Sequence, residues 1–301
     1  MREFAKLTIS ILCLGTLLFP SQQALAEQWR PVRGGILYGI SGMALIEQKN
    51  SLDFLIVHDN KQANQGRLAI IRIIGRNQPE YLPVQWPSNL EFPIDLEALT
   101  DVPGTNKTEF IALTSAGKAY HLKLNSINKS ISVLKVFDVP EGSKSDNFEA
   151  FSLQNIDGKL IAIWAHRGGG TEAAKIYWGG FDINKHQINL AGTADFKVPF
   201  PGENVRHISD IKIDSAGIVY LSAASDTGDN GPFQSAIYVA GYLTFNGNKI
   251  VWRQTPQLFP IYRDNYHKIE ALEIIPGEKG GLIVGTDDEN IGSFLDIINE
   301  N

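Results

Sequence analysis

The 301-residue chain has one cysteine, Cys13, and it falls inside an N-terminal apolar run. Beyond that run there is no thiol for a disulfide, a thiolate nucleophile or a Cys-ligated zinc. Stability must then come from the core alone. Long apolar runs are also lacking. After Phe19 no stretch approaches the about 20 apolar residues that a membrane span needs. Basic charge is scarce too, which argues against nucleic acid or an anionic membrane surface as partner. No Gly-x-Ser-x-Gly elbow and no His-Glu-x-x-His helix signature occurs, which disfavours serine-esterase and zincin chemistry. Amphipathic helical periodicity is rare.

What is present begins with Arg2 and Lys6, an apolar run from Leu7 to Phe19, and Ser21-Gln22-Gln23-Ala24-Leu25-Ala26. A basic start, an apolar centre too short to span and an Ala-x-Ala end read as a cleaved secretory signal over residues 1–26. The expectation is an exported protein, periplasmic or extracellular, whose residues 27–301 form one domain. Of 27 basic and 33 acidic residues, setting aside Arg2, Lys6 and Glu3 leaves 25 and 32, a net of −7.

Runs of five to nine residues rich in Ile, Val, Leu, Tyr and Phe recur between Gly, Asn, Asp and Pro clusters, the pattern of an all-β chain. Five of them open alike: Ile40-Ser41-Gly42-Met43, Leu96-Glu97-Ala98-Leu99, Phe148-Glu149-Ala150-Phe151, Ile208-Ser209-Asp210-Ile211 and Ile269-Glu270-Ala271-Leu272. The steps from Ser41 to Glu97, Glu149, Ser209 and Glu270 are 56, 52, 60 and 61 residues. Each opener precedes a turn and a more apolar strand with a polar end, then two further strands. Four strands at this period predict a β-propeller of five four-stranded blades. The fifth unit runs out at its third strand, Phe294 to Ile298, and an orphan strand stands near Val32 to Tyr38. Closure of the last blade by the N-terminal strand would remove the exposed edges. A pair of β-sandwiches is the alternative, but it gives no reason for the opener to recur.

In such a blade the start of the first strand and the end of the second lie at one face of the ring. That gathers Ser41, Glu97, Glu149, Ser209, Asp210 and Glu270 with His58, Asp59, Thr114, Ser115, His166, Arg167, Asp226, Asp287 and Asp288. Oxygen-rich clusters suit calcium or magnesium, with Asp59, Glu97, Asp226, Glu270, Asp287 and Asp288 as ligands. Crowded carboxylates also separate into acid and base, which makes Glu97, Glu149 and Glu270 catalytic candidates. His58 and His166 would act as base, proton shuttle or metal ligand and Arg167 as a clamp on a phosphate or carboxylate. The same Glu residues could instead bond backbone amides of the next blade. No organic cofactor is implied. Ser225 to Gly231 could wrap a calcium ion, and Arg167-Gly168-Gly169-Gly170 could cradle an anion with backbone amides. Trp178, Phe181, Phe233 and Tyr262 either line a sugar or peptide site or fill the wedges between blades.

Ile40-Ser41-Gly42, Asp95-Leu96-Glu97-Ala98, and Lys268-Ile269-Glu270-Ala271-Leu272 running into Thr286-Asp287-Asp288-Glu289-Asn290 resemble bacterial exported proteins of the phytase-like family, also called esterase-like activity of phytase. The resemblance implies an exported propeller with phosphoester-directed activity, here a metal-assisted hydrolase acting on a small anionic ligand. Ser209-Asp210 stands where a Glu would strengthen the repeat, and no dense basic run serves a polyphosphate. The alternative function is a non-catalytic propeller that binds an envelope component, its central Glu/Asp ring being structural.

Overall fold

The structure, a computed structural model, describes residues 29–141, 147–277 and 280–298. The expected signal, residues 1–26, lies outside them. Strand β1 (Arg30–Arg33) is followed by a 3-10 turn at Ile36–Tyr38, so the orphan strand is shorter than the sequence pattern suggests. Blade 1 is β2 (Gly42–Gln48), β3 (Leu52–Val57), β4 (Leu68–Ile73) and β5 (Glu80–Val84). Blade 2 is β6 (Leu96–Asp101), β7 (Glu109–Thr114), β8 (Lys118–Asn125) and β9 (Ser130–Asp138). Blade 3 is β10 (Phe148–Ile156), β11 (Lys159–His166), β12 (Ala174–Asp182) and β13 (Gln187–Phe196). Blade 4 is β14 (Val205–Ile213), β15 (Ile218–Ser225), β16 (Ser235–Asn246) and β17 (Lys249–Gln254), with β18 (Pro260–Asp264) as an additional strand on β16. Blade 5 is β19 (Ile269–Ile275), β20 (Gly281–Thr286), β21 (Ser293–Ile298) and, as its outer strand, β1.

All pairings inside the blades are antiparallel, and β1 closes the ring on β21 through Arg30↔Leu295 and Pro31↔Phe294. The five-bladed propeller read from the sequence, with its last blade closed by the N-terminal strand, is the fold. Its second strands are apolar on both sides because each lies between two wedges of core. In β7, Phe110 and Ala112 face blade 1 while Ile111 and Leu113 face blade 3. In β11, Ala162 and Trp164 face blade 2 while Ile161, Ile163 and Ala165 face blade 4. Period-2 side-chain alternation thus serves two hydrophobic faces, and the strand reads as a continuous apolar run. Trp178 and Phe181 belong to these wedges, so the wedge-filling reading holds for these two; Phe233 is fully buried outside them.

The innermost strands β2, β6, β10, β14 and β19 pack on one another in a closed ring. Gly42 is needed there, because a Cβ on it would stand 2.8 Å from the Leu99 amide nitrogen in the next blade. One lysine, Lys212 of β14, is buried across the axis: its Nζ donates to Met43 O (2.8 Å) and to Leu99 O, with Asp210 and Glu273 carboxylates at 3.9 and 3.8 Å. Among the described residues no helix is long and apolar enough to cross a membrane.

Candidate functional site

The opener that repeats along the chain is a bulged strand start. Leu96 pairs with Thr114 and Ala98 with Leu113, so Glu97 is an extra residue in the ladder. Glu149 is extra between Phe148 and Ala150, and Glu270 between Ile269 and Ala271. The core shows the effect. Leu96 and Ala98 would face one wedge in a regular strand, yet they lie in opposite wedges, as do Phe148 with Ala150 and Ile269 with Ala271. A bulge re-aims the residue it inserts, and here it takes three glutamates out of both wedges and to the mouth of the axis. Blade 4 has a longer irregularity, Arg206↔Ala224 then Asp210↔Ser222, which turns Arg206 to the mouth instead.

The strand-two ends complete the mouth. Glu270 accepts from Arg206 at 2.8 Å and from Lys268 at 3.0 Å, and Arg206 also grips Asp226 at 2.7 Å. Glu149 accepts from Asn147 Nδ2 at 3.0 Å and from Arg167 at 3.3 Å. Asp287 sits against Gly39, where any Cβ would overlap its carboxylate. Asp95, held at φ 65° before the second opener, takes Ser115 Oγ and Lys61. Asp59 and Glu97 take no hydrogen bond or ion pair from the described residues.

Burial and mutual repulsion set the charge states. Desolvation raises Glu97 well above the usual carboxylate range, and Glu149, Asp95, Asp59 and Glu270 add to it. Asp287 is raised well above its ordinary value by desolvation and then by Glu270. Asp59 is pushed up to about 6 by desolvation, Glu270 and Asp95. Glu149 is pushed up to about 7, desolvation outweighing Arg206 and Arg167. Burial opposes the charges on Arg206 and Lys268, but the surrounding carboxylates, Glu270 foremost, raise both above their ordinary values. The mouth therefore holds a doubly ion-paired carboxylate beside carboxyls that burial and mutual repulsion raise above their ordinary values.

Other candidates have different positions. His58 is buried, bonded to Gly39 O and to Tyr81 Oη at 3.0 Å, and desolvation pushes it down to about 4. Asp288 is spent on the Lys268 amide, Thr286 Oγ1 and His267. The amides of Gly168, Gly169 and Gly170 already donate to His166 Nδ1, Glu172 O and Val205 O, so they do not cradle an anion. The loop from Ser225 to Gly231 docks on the turn at Glu289–Ile291 through Asp229 O and Asn230 Oδ1. Among the described residues no group of three or more His, Asp or Glu stands so as to hold a metal ion. The calcium- or magnesium-binding expectation for Asp59, Glu97, Asp226, Glu270, Asp287 and Asp288 is corrected accordingly. The reason is that guanidinium, ammonium, imidazole and backbone N–H groups occupy oxygens of Asp226, Glu270 and Asp288. Next-blade amides are capped by Thr100 Oγ1 and Asp210, not by the three glutamates. Sequence reading assigns no role to Asp95, Asn147 or Lys268; the placement of Lys268 two residues before Glu270 was the available signal.

Beside the mouth opens a cleft of ≈ 740 Å3, lined by Asn147, His166, Arg167, Glu172, Asn204, Val205, Arg206, Asp226 and the three glycines. Its inner wall is made of the two arginines that contact Glu149 and Glu270.

No family model matches the chain, and no curated protein matches it. Solved structures do resemble it. An endo-1,4-beta-xylanase from Bacteroides thetaiotaomicron aligns with TM-score 0.56 at 11% identity, over 89% of this chain and 92% of that one. An exo-1,5-alpha-L-arabinanase from a bovine ruminal metagenomic library aligns with TM-score 0.54 at 11% identity, over 90% and 95%. A thermostable family-43 glycoside hydrolase aligns with TM-score 0.52 at 13% identity, over 90% and 92%. These neighbours overturn the phytase-like resemblance and the phosphoester-directed activity drawn from it; two of its short motifs, around Glu97 and Glu270, are the bulged blade starts. At such identities what the chain shares with these glycoside hydrolases is the five-bladed propeller.

Proposed function

We propose that the axial carboxylates are the acid–base site of an exported glycan-cleaving enzyme. One observation carries the reading: Glu97, 8% exposed and raised well above the usual carboxylate range by burial, takes no hydrogen bond or ion pair among the described residues and stands in a cluster with the doubly ion-paired Glu270. Glycosidic cleavage needs one carboxylic acid to protonate the leaving oxygen and one carboxylate to activate water or attack the sugar. Glu97 has the state required of the acid. Asp59, half-buried, without a hydrogen bond or ion pair among the described residues and pushed up to about 6, has that of the base near neutral pH. Glu270, fixed by Arg206 and Lys268, stands beside both and adds to the raising of each. In the step itself the Glu97 proton passes to the glycosidic oxygen, the bond from that oxygen to the anomeric carbon breaks and releases it as a sugar hydroxyl, and a water proton passes to Asp59 as the water adds to the anomeric carbon. Fold neighbours include a xylanase, an arabinanase and a family-43 glycoside hydrolase; only the fold is shared, so the carboxylates bear the argument. The secretory signal expected over residues 1–26 supports a glycan met outside the cytoplasm.

The test is sugar release from aryl glycosides and a polysaccharide panel by residues 27–301. Glu97→Gln and Asp59→Asn should each lower kcat by about 100-fold or more without lowering the melting temperature. Absence of release across the panel, or full activity in both variants, defeats the reading.

A further inference from the structure

The cleft next to the mouth points to the kind of sugar. At ≈ 740 Å3 it lies within the range of about 300–1,000 Å3 typical of small-molecule sites, yet Val205 is the one large apolar side chain in its wall. Such a surface suits a hydroxylated ligand rather than a flat apolar one. Its two arginines differ. Arg206 is 16% exposed and spends one terminal nitrogen on Glu270 and the other on Asp226. Arg167 is 34% exposed and makes a single side-chain contact among the described residues, Nη1 to Glu149 at 3.3 Å. Most of its five donors are left for the cleft. Its backbone is fixed on both sides, by Arg167 N to Asn147 O (3.1 Å) and by His207 N to Arg167 O (3.0 Å), so the fork is anchored.

Resting on the glycan-cleaving reading, we propose that this cleft is a subsite for an acidic sugar, a uronate whose carboxylate is gripped by Arg167. A planar guanidinium matches a carboxylate through two parallel hydrogen bonds. Asn147 and Asn204 offer neutral donors and acceptors to the ring hydroxyls. Two acidic side chains also line the cleft and do not oppose this. Asp226 is neutralised by Arg206, and Glu172 is an exposed residue at the lip. The counter-charge of Arg167 is weak as well, since burial pushes Glu149 up to about 7. An incoming carboxylate that draws Arg167 away would leave Glu149 protonated, a second acid beside the bound sugar.

The experiment measures binding of the wild-type chain and of Glu97→Gln to polygalacturonate, alginate and glucuronoxylan, each beside the same polymer with its carboxyls reduced to alcohols. The expected result is retention of at least one uronate polymer and a loss of about tenfold or more on carboxyl reduction. A similar loss is expected in Arg167→Ala, and an intermediate one in Arg167→Lys, which keeps the charge and loses the fork. Melting curves establish that each variant is folded. Equal binding of native and reduced polymers, unchanged binding by folded Arg167→Ala, or retention of neutral glycans alone would overturn the subsite. Cleavage of a neutral glycan that depends on Glu97 would survive that outcome. Uronate binding without turnover of any glycan would sink the enzyme reading and leave the subsite standing.

Discussion

Glu97 and Glu270 occupy the same bulge in different blades, and their neighbours give them opposite company. Glu270 meets two cations within 3.0 Å, whereas Glu97 meets other carboxylates. Residues of this kind make folding depend on pH with a definite sign. Asp59 at about 6, Glu149 at about 7 and Asp210 at about 7 are raised above their unfolded values. The folded state therefore holds protons that the unfolded chain releases, and the resulting stabilisation is full below the unfolded pKa and lost as pH rises through about 6–7. His58 works in reverse. Lowered to about 4, it favours the fold above its unfolded pKa and ceases to do so as pH falls from the usual histidine range towards 4. Melting temperature should consequently rise from pH 8 to a maximum near about pH 5.5–6 and fall again towards pH 4. Glu149→Gln should flatten the alkaline limb in scanning fluorimetry. A maximum at pH 8 in the wild type would contradict the burial of these groups.

At the scale of the strand, closure is the feature with the plainest consequence. β1 contributes Val32, 8% exposed, to the wedge that also holds Leu295, Ile40 and Met43. Val32→Asp should cost at least about 2 kcal/mol, a fall of about 4–8 °C in a domain of this size. It should also promote association, measured by light scattering, because β21 becomes an open edge. An unchanged melting curve would mean that β1 does not close the ring. This closure was legible in the sequence because the fifth unit lacked a strand and the N-terminus had one to spare. The openers were legible because Glu97, Glu149 and Glu270 recur between apolar residues that keep a fixed pattern. The bulges were not, since register depends on partner residues 17 to 18 positions further on and leaves no mark on the opener. β18 was missed for a related reason. Its Pro260 start suits only an edge position, and it pairs with the half of β16 that β17 leaves free. The ion pairs of Arg206 and Lys268 escaped because which cation meets which carboxylate is decided by blade packing, over 64 residues in the case of Arg206 and Glu270.

Taken whole, the molecule is a ring whose mouth is acidic and whose axis is closed by one buried cation. Lys212 joins four blades: it extends from blade 4, donates to carbonyls of blades 1 and 2, and faces Glu273 of blade 5 as well as Asp210 of its own strand. Asp210 in turn accepts the Leu272 amide of blade 5. Removing the ammonium leaves two carbonyls and two buried carboxylates uncompensated, and breaking a buried pair in this way costs about 3–5 kcal/mol. Lys212→Met, close in length, should therefore destabilise the ring far more than its lost packing would. The loss should also depend on pH. Without Lys212, burial raises Asp210 and Glu273 further, so the variant should recover part of its stability as the pH falls and both carboxyls take up protons. Adding Asp210→Asn to Lys212→Met should recover part of it at every pH, because it removes one of the stranded charges. Denaturant midpoints of the wild type, the single variant and the double variant at pH 8 and pH 5.5 measure this directly. If Lys212→Met is as stable as the wild type at pH 8, the blades are held by their apolar wedges alone and the axial lysine is dispensable to the ring.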